Sequence, residues 1–416
     1  MLSIKKAGGQ NINADAWNFF TICWMITLLS SSIGRYMNYS YAITLIAFFI
    51  YIVRTRRIHF NYINIIWGIF IVIFTLLGYL IHTPNFLLID ILGYVVSLCG
   101  VFAVNEPVRR FDGIILFIKF RALIEAFFVI LQQFAYPVYV KFAWRILGTW
   151  NYDAGGMALS ISLSAYIIVF GIGAFLFCRN QKHSVLHIPA ILLCFIALVY
   201  SDKRTIMIVA LGLCMITYFI NCNKKTRIRR LFLLPVLVIS LVGAGILFYR
   251  AFGNQNAIGR IIETLINFSE QKDITNSRSQ IQAVAWSLWG ESNSSKWFGI
   301  GWGEFKHNFT LFKNTSQVHN IYIQLLCETG ITGFVCFVAV QLICLLTSLL
   351  LFIRIFSEDS SRRNLIGFSV TGQLIFGIYG FTGNPLYDST CYLMYFMMIT
   401  ILIVVRRSYR LERRQL

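Results

Sequence analysis

The chain has 416 residues, 57% of them hydrophobic and 13% charged, with a mean hydropathy of +0.69. Soluble domains carry about a quarter charged residues, so the composition excludes a soluble enzyme and describes an all-α polytopic membrane protein. The net charge of +19 does not point to nucleic acid, because most Lys and Arg sit in short clusters between apolar runs, as membrane topology requires.

Apolar runs bounded by polar punctuation, near the ~20 residues that cross a hydrocarbon core, predict about twelve spans. The first two cover 17–33 and 41–53, followed by Arg54, Arg56 and Arg57. The polar stretch before them lacks a cleavage-site pattern, so the first span reads as a retained anchor. The third and fourth cover 62–81 and 86–104. The fifth carries Lys119, Arg121 and Glu125 in its first half, and a loop over 136–156 follows. The sixth and seventh cover 157–177 and 186–200, ahead of Ser201-Asp202-Lys203-Arg204. The eighth, 205–220, leads to a dense basic cluster from Lys224 to Arg230 and a ninth span over 231–249. One long polar loop then precedes spans over 330–353, 365–381 and 391–405 and a basic tail. This divides the chain into an N-terminal membrane bundle (1–249), the loop (250–318) and a C-terminal bundle (319–416).

With both termini placed in the cytoplasm, cytoplasmic segments hold 22 Lys and Arg and outer segments hold twelve, seven of them in the long loop. That asymmetry puts the long loop outside. Ten cysteines lie in or beside apolar runs and none in the loop, so no disulfide framework is expected. No CxxC, Cys/His cluster or Asp-x-Asp occurs, so neither a metal nor another cofactor is expected.

The loop far exceeds the ~12–15 residues of a structureless connection. Within it, 274–289 has helical spacing, with Ile281, Ala285, Trp286 and Trp289 near one face, as in an amphipathic helix lying at the membrane interface. Arg278 sits in its first turns and Arg260 in an earlier segment; each is either a solvent-facing arginine or a phosphate ligand. The same choice, snorkelling pair or phosphate site, holds for Lys203 and Arg204. Phe298-Gly299-Ile300-Gly301-Trp302-Gly303 follows no apparent strand and reads as a turn for close backbone packing rather than a nucleotide loop. Of six histidines, His59 and His183 fall in cytoplasmic loops, and His82 and His187 at span ends. His319 opens a half-buried helix near the outer surface, where an imidazole serves as general base toward a hydroxyl. His307 is its one rival.

Four pieces resemble the O-antigen ligase/polymerase superfamily of bacterial envelopes. They are Gly148-Thr149-Trp150-Asn151 with Ala154-Gly155, the Ser201–Thr205 element, Arg278 with the glycine-rich turn, and His319-Asn320 followed after nine residues by Gly330-Ile331-Thr332-Gly333. The resemblance implies a multi-span glycosyltransferase of GT-C-like architecture in the inner membrane. Its active site would be periplasmic, and it would transfer a glycan from undecaprenyl pyrophosphate without metal and with inversion. It implies that Arg204 and Arg278, with Arg260 and Lys203, hold the pyrophosphate. His319 would activate the acceptor, and Asn320, Tyr322 and Asn151 would contact glycan. Membrane lipid, a chain-length regulator and a flippase are the implied partners. Ligases often continue the histidine motif with threonines, whereas here Gly333 precedes Phe334-Val335-Cys336-Phe337. This favours a polymerase joining repeat units over a ligase acting on lipid A-core or protein. A lipid-linked-glycan flippase is the alternative of another class, but it predicts neither a large folded loop nor a His-Asn helix start.

Overall fold

The computed structural model of the chain describes residues 2–31, 36–56, 58–81, 88–103, 111–150, 152–153, 155–178, 184–201, 203–220, 278–308, 317–355 and 360–413, with scattered positions between 221 and 277. Among the described residues the regular structure is helical throughout. The basic cluster, most of the ninth predicted span, Asn151 and Arg260 lie outside them.

The helices are α1 (Leu2–Ser31), α2 (Met37–Thr55), α3 (Tyr62–Ile81), α4 (Leu88–Phe102), α5 (Asp112–Phe134), α6 (Tyr136–Leu147), α7 (Ile161–Phe177), α8 (Ser184–Tyr200) and α9 (Arg204–Ile220). There follow α10 (Arg278–Gly290), α11 (Asn293–Phe298), α12 (Phe305–Asn308), α13 (Ile321–Ile355), α14 (Ser360–Tyr379) and α15 (Ser389–Arg413). Among the described residues, three helices are long and apolar enough to cross a membrane: α2, α13 and α15. The shorter apolar helices, of 10–17 residues, include Ile161–Phe177 and Leu186–Tyr200. Ile43, Ile46, Ile50 and Val53 on α2, and Leu342, Leu346, Leu350 and Ile353 on α13, recur at helical spacing and are exposed. Such apolar stripes suit lipid rather than water.

One sequence expectation is corrected here. The loop predicted over 136–156 opens with α6, which carries proline in its first turn, where the missing N–H costs nothing and the fixed φ favours helix.

Contacts group the chain into two compact units. One compact unit joins 1–114 to 277–416, and the other spans 115–276. In the first, α15 is buried on all sides from Thr390 to Val405 and packs against α4, α14, α1 and α13. A helix apolar all round belongs in a core. Hydroxyls join its neighbours: Thr27 Oγ1 to Thr44 Oγ1 at 2.7 Å and Ser31 Oγ to Thr390 Oγ1 at 2.7 Å. In apolar surroundings such bonds hold helices together, because no water competes for them.

In the second unit α7 is the buried centre, packed against α8 and α9. The charges that marred the fifth predicted span form an ion pair there, Arg121 with Glu125, exposed by only 1% and 0%. Glu125 also accepts from Ala158 N at 3.0 Å and Ser164 Oγ at 2.7 Å. Gln132 Oε1 takes Gly156 N at 2.9 Å, and Tyr139 donates to Gly156 O at 2.9 Å. The chain just after the Gly148–Asn151 piece is thereby stapled to α5 and α6. The price of burying the charged pair is met by these added hydrogen bonds.

Candidate active site

Helix α13 breaks at the first glycine of the Gly-x-x-Gly pair. Gly330 lies at φ 66°, ψ −171° inside the helix, a conformation almost confined to glycine. The break withdraws the N–H groups of Ile331 and Thr332 from the carbonyls of Cys327 and Glu328, four residues earlier in helical register. Those carbonyls instead accept from Ile300 N and Gly301 N, each at 3.0 Å. The glycine-rich turn is therefore built for backbone packing. A Cβ on Gly299 would lie 2.2 Å from the Glu328 carbonyl carbon, and one on Gly330 2.3 Å from that of Trp297.

The Glu328 side chain, 1% exposed, gathers the surrounding segments. It accepts from Gly303 N at 2.8 Å, Phe305 N at 3.3 Å, Gln324 Nε2 at 3.1 Å and the Tyr387 hydroxyl. Burial first, then the facing carboxylate, push the Tyr387 phenol well above its ordinary range, so that it remains a donor. Gln324 Oε1 in turn accepts from Val318 N at 3.1 Å and from Asn384 Nδ2 at 2.6 Å.

That relay ends beside His319, which is half-buried and sits just ahead of α13. Its φ is +57°, a left-handed conformation that is uncommon outside Gly and that Asn, Asp and His enter more readily than other residues. Asn320 caps the helix: its Oδ1 accepts from Tyr322 N at 3.0 Å and Ile323 N at 3.2 Å. Such a cap is worth about 1 kcal/mol, which gives Asn320 a role apart from any glycan. Tyr322 donates to Gly377 O at 2.9 Å and packs on Phe381, so its phenol too has a protein partner.

Arg278 is the half-buried first residue of α10. Ile281 and Ala285 of that helix join Phe305, Val318 and Cys327 in one buried cluster, flanked by Val284 and Leu288. The Ile281–Ala285 face of this helix packs on protein, while Trp286 is exposed. His319, Asn320, Tyr322 and the helix carrying Arg278 thus belong to one unit. Lys203 and Arg204 belong to the other, Arg204 opening α9 and Lys203 O accepting from Met207 N at 3.0 Å. His307 falls in α12, its side chain outside the described residues.

Sequence reading missed Gln324, Glu328, Asn384 and Tyr387. The available signal was that Glu328 is the lone acidic residue between Ile321 and Ile355, four residues after a glutamine and therefore on the same helical face. The cost of burying charge among apolar residues makes such an acid a functional candidate by default.

A comparison with curated proteins finds no match. The family model described as O-antigen ligase matches residues 189–338. That span begins within α8 and ends within α13, so it takes in the basic pair at α9, the Arg278 helix, the glycine-rich turn, His319 and the break at Gly330. The segment 189–338 is thus similar to the O-antigen ligase/polymerase superfamily that the sequence motifs resemble.

Proposed function

We propose that the chain is a polymerase for O-antigen or a related surface polysaccharide, joining undecaprenyl-pyrophosphate-linked repeat units at the periplasmic face of the inner membrane. The observation that carries this reading is a histidine held in a left-handed backbone turn at the mouth of α13, against which the Arg278 helix packs. Gly, Asn or Asp would form such a turn as readily, so an imidazole at this helix mouth supports a role in side-chain chemistry. Phe334-Val335-Cys336-Phe337 after Gly333, in place of the threonines frequent in ligases, favours repeat joining over transfer to lipid A-core or protein.

In the proposed step an acceptor hydroxyl oxygen bonds to the anomeric carbon of the donor glycan. The bond from that carbon to the pyrophosphate oxygen breaks, and its electron pair leaves with undecaprenyl pyrophosphate. His319 receives the hydroxyl proton, and attack opposite the leaving group inverts the anomeric centre. Arg278 is the proposed cation for the leaving charge in the histidine's own unit. Lys203, Arg204 and Arg260 are donor-binding candidates by sequence motif, and Asn151 a glycan contact. A GT-C-like arrangement of about twelve spans, cytoplasmic termini, surrounding membrane lipid, a chain-length regulator and a flippase complete the proposal.

The test is the glycan pattern of a deletion strain. Loss of a polymerase leaves single repeats on lipid A-core. A ligase loss instead leaves polymer on the carrier lipid, and a flippase loss leaves repeats inside the cell. Long chains on lipid A-core in the deletion strain would overturn the polymerase reading.

Arg278→Lys separates a phosphate fork from a simple surface charge. Lysine keeps the charge but cannot reproduce two parallel N–H donors. Polymer yield is expected to fall roughly tenfold or more, with unchanged membrane abundance on immunoblots. Normal chain length in this variant would reduce Arg278 to a solvent-facing residue.

A further inference from the structure

We propose that Gln324 is a positioning residue for His319 and that Glu328 sets the direction of its carboxamide. This rests on the base role given to His319 above, and it names residues outside that step.

The direction of the relay follows from hydrogen-bond chemistry. The backbone N–H of Val318 only donates, so the end of Gln324 facing it is Oε1 and the end facing Glu328 at 3.1 Å is Nε2. Its oxygen is then turned to Val318 N at 3.1 Å and Asn384 Nδ2 at 2.6 Å. A free carboxamide can flip and present either end; one pinned against a carboxylate cannot. Val318 immediately precedes His319 and is wholly buried in the cluster that α10 shares with α13. Asn384 Nδ2 also reaches Gln317 Oε1 at 3.4 Å. Both residues leading into His319 are therefore held by one relay, while Asn320 fixes the residue after it by capping α13. Fixing both neighbours defines where the strained turn aims the imidazole. The task suits a relay rather than packing alone, because a misplacement of about 1 Å in a reacting group costs on the order of a hundredfold in rate.

Glu328 has a second task that makes the pair separable by experiment. Its oxygens also receive Gly303 N, Phe305 N and the Tyr387 hydroxyl, so its loss should loosen the glycine-rich turn as well as the relay. Gln324 makes no such contact with that turn in the bonds described. Exchanging the two groups keeps a donor–acceptor contact between positions 324 and 328 and an acceptor toward Val318. It also leaves position 328 with fewer acceptors for the turn.

The experiment measures turnover and KM for lipid-linked repeat units extracted from the deletion strain, per folded molecule in detergent, alongside thermal unfolding. Gln324→Ala is expected to lower turnover roughly 10–100-fold with KM within about twofold. Gln324→Glu, which sets two carboxylates against each other, should lose as much. The exchanged pair Gln324→Glu/Glu328→Gln should recover about tenfold over Gln324→Glu, while unfolding no later than Glu328→Gln alone. Turnover rescued without stability is what positioning predicts and a structural role does not. Turnover of Gln324→Ala within about twofold of wild type, or no recovery in the exchanged pair, would overturn the proposal. His319→Ala in the same assay separates the two claims. An inactive His319→Ala beside an unimpaired Gln324→Ala overturns the relay alone, whereas a fully active His319→Ala overturns the base role and the relay with it.

Discussion

His319→Ala is expected to abolish detectable surface polymer while leaving the protein in the membrane at its normal level. A positioned base contributes about 10²–10⁴-fold to rate, enough to remove long chains from a gel of extracted glycan. Abundance should hold because the neighbours of His319 carry bonds that shape the turn. Asn320 still caps α13 through Tyr322 N and Ile323 N, Ile321 N still bonds Gly380 O at 2.8 Å, and Val318 stays in its buried cluster. Alanine inherits the left-handed strain at +57° but adds little to it. His319→Gly makes the separation sharper. Glycine relieves the strain, so this variant should unfold no earlier than wild type and yet make no polymer. His307→Ala is the matched control, expected to leave chain length nearly normal. Polymer of normal length from His319→Ala or His319→Gly would end the base assignment.

What the sequence disclosed about this site, and what it hid, follows from the range of each interaction. Local chemistry was legible: Asn320 precedes an apolar run and caps it, and Phe298–Gly303 was expected to be a turn for close backbone approach, which the paired clashes at Gly299 and Gly330 explain. A face was legible but its cover was not. Ile281 and Ala285 showed helical spacing, yet periodicity cannot say whether protein or lipid lies opposite, and Phe305, Val318 and Cys327 lie there. The stretch from Tyr136-Pro137 was expected to be loop, although its proline opens α6. Long-range pairing was invisible. Glu328 meets Tyr387, and Gln324 meets Asn384, across about 60 residues of chain, and no local pattern announces such partners. The Arg121–Glu125 pair lies between these extremes: its four-residue spacing was on view, but only Ala158 and Ser164 show why it is buried.

Gly330→Ala should be the most damaging single methyl in this unit. The position combines φ 66° with ψ −171°, where an L side chain is strained, and the new Cβ would meet the Trp297 carbonyl at 2.3 Å. That neighbour is backbone, so it cannot swing aside as a side chain would. Two responses are open to the chain, and both are costly. If the break persists, α11 must be pushed away, breaking the bond from Thr332 Oγ1 to Trp297 O at 2.7 Å. If α13 straightens, Ile331 and Thr332 reclaim the carbonyls of Cys327 and Glu328, and Ile300 N and Gly301 N lose their 3.0 Å partners. Strain, overpacking and lost bonds together are expected to cost about 3–5 kcal/mol, read as early thermal unfolding in detergent and a loss of membrane abundance. Gly212→Ala is the control: it lies within α9 with nothing within 4 Å of the added Cβ, and it should be neutral or stabilising by up to about 1 kcal/mol. If Gly330→Ala unfolded with Gly212→Ala, the break in α13 would carry no strain and the docked turn no weight. A shift confined to Gly330→Ala instead makes the break the joint that holds the outer turn, and through Glu328 and Gln324 the histidine, in place.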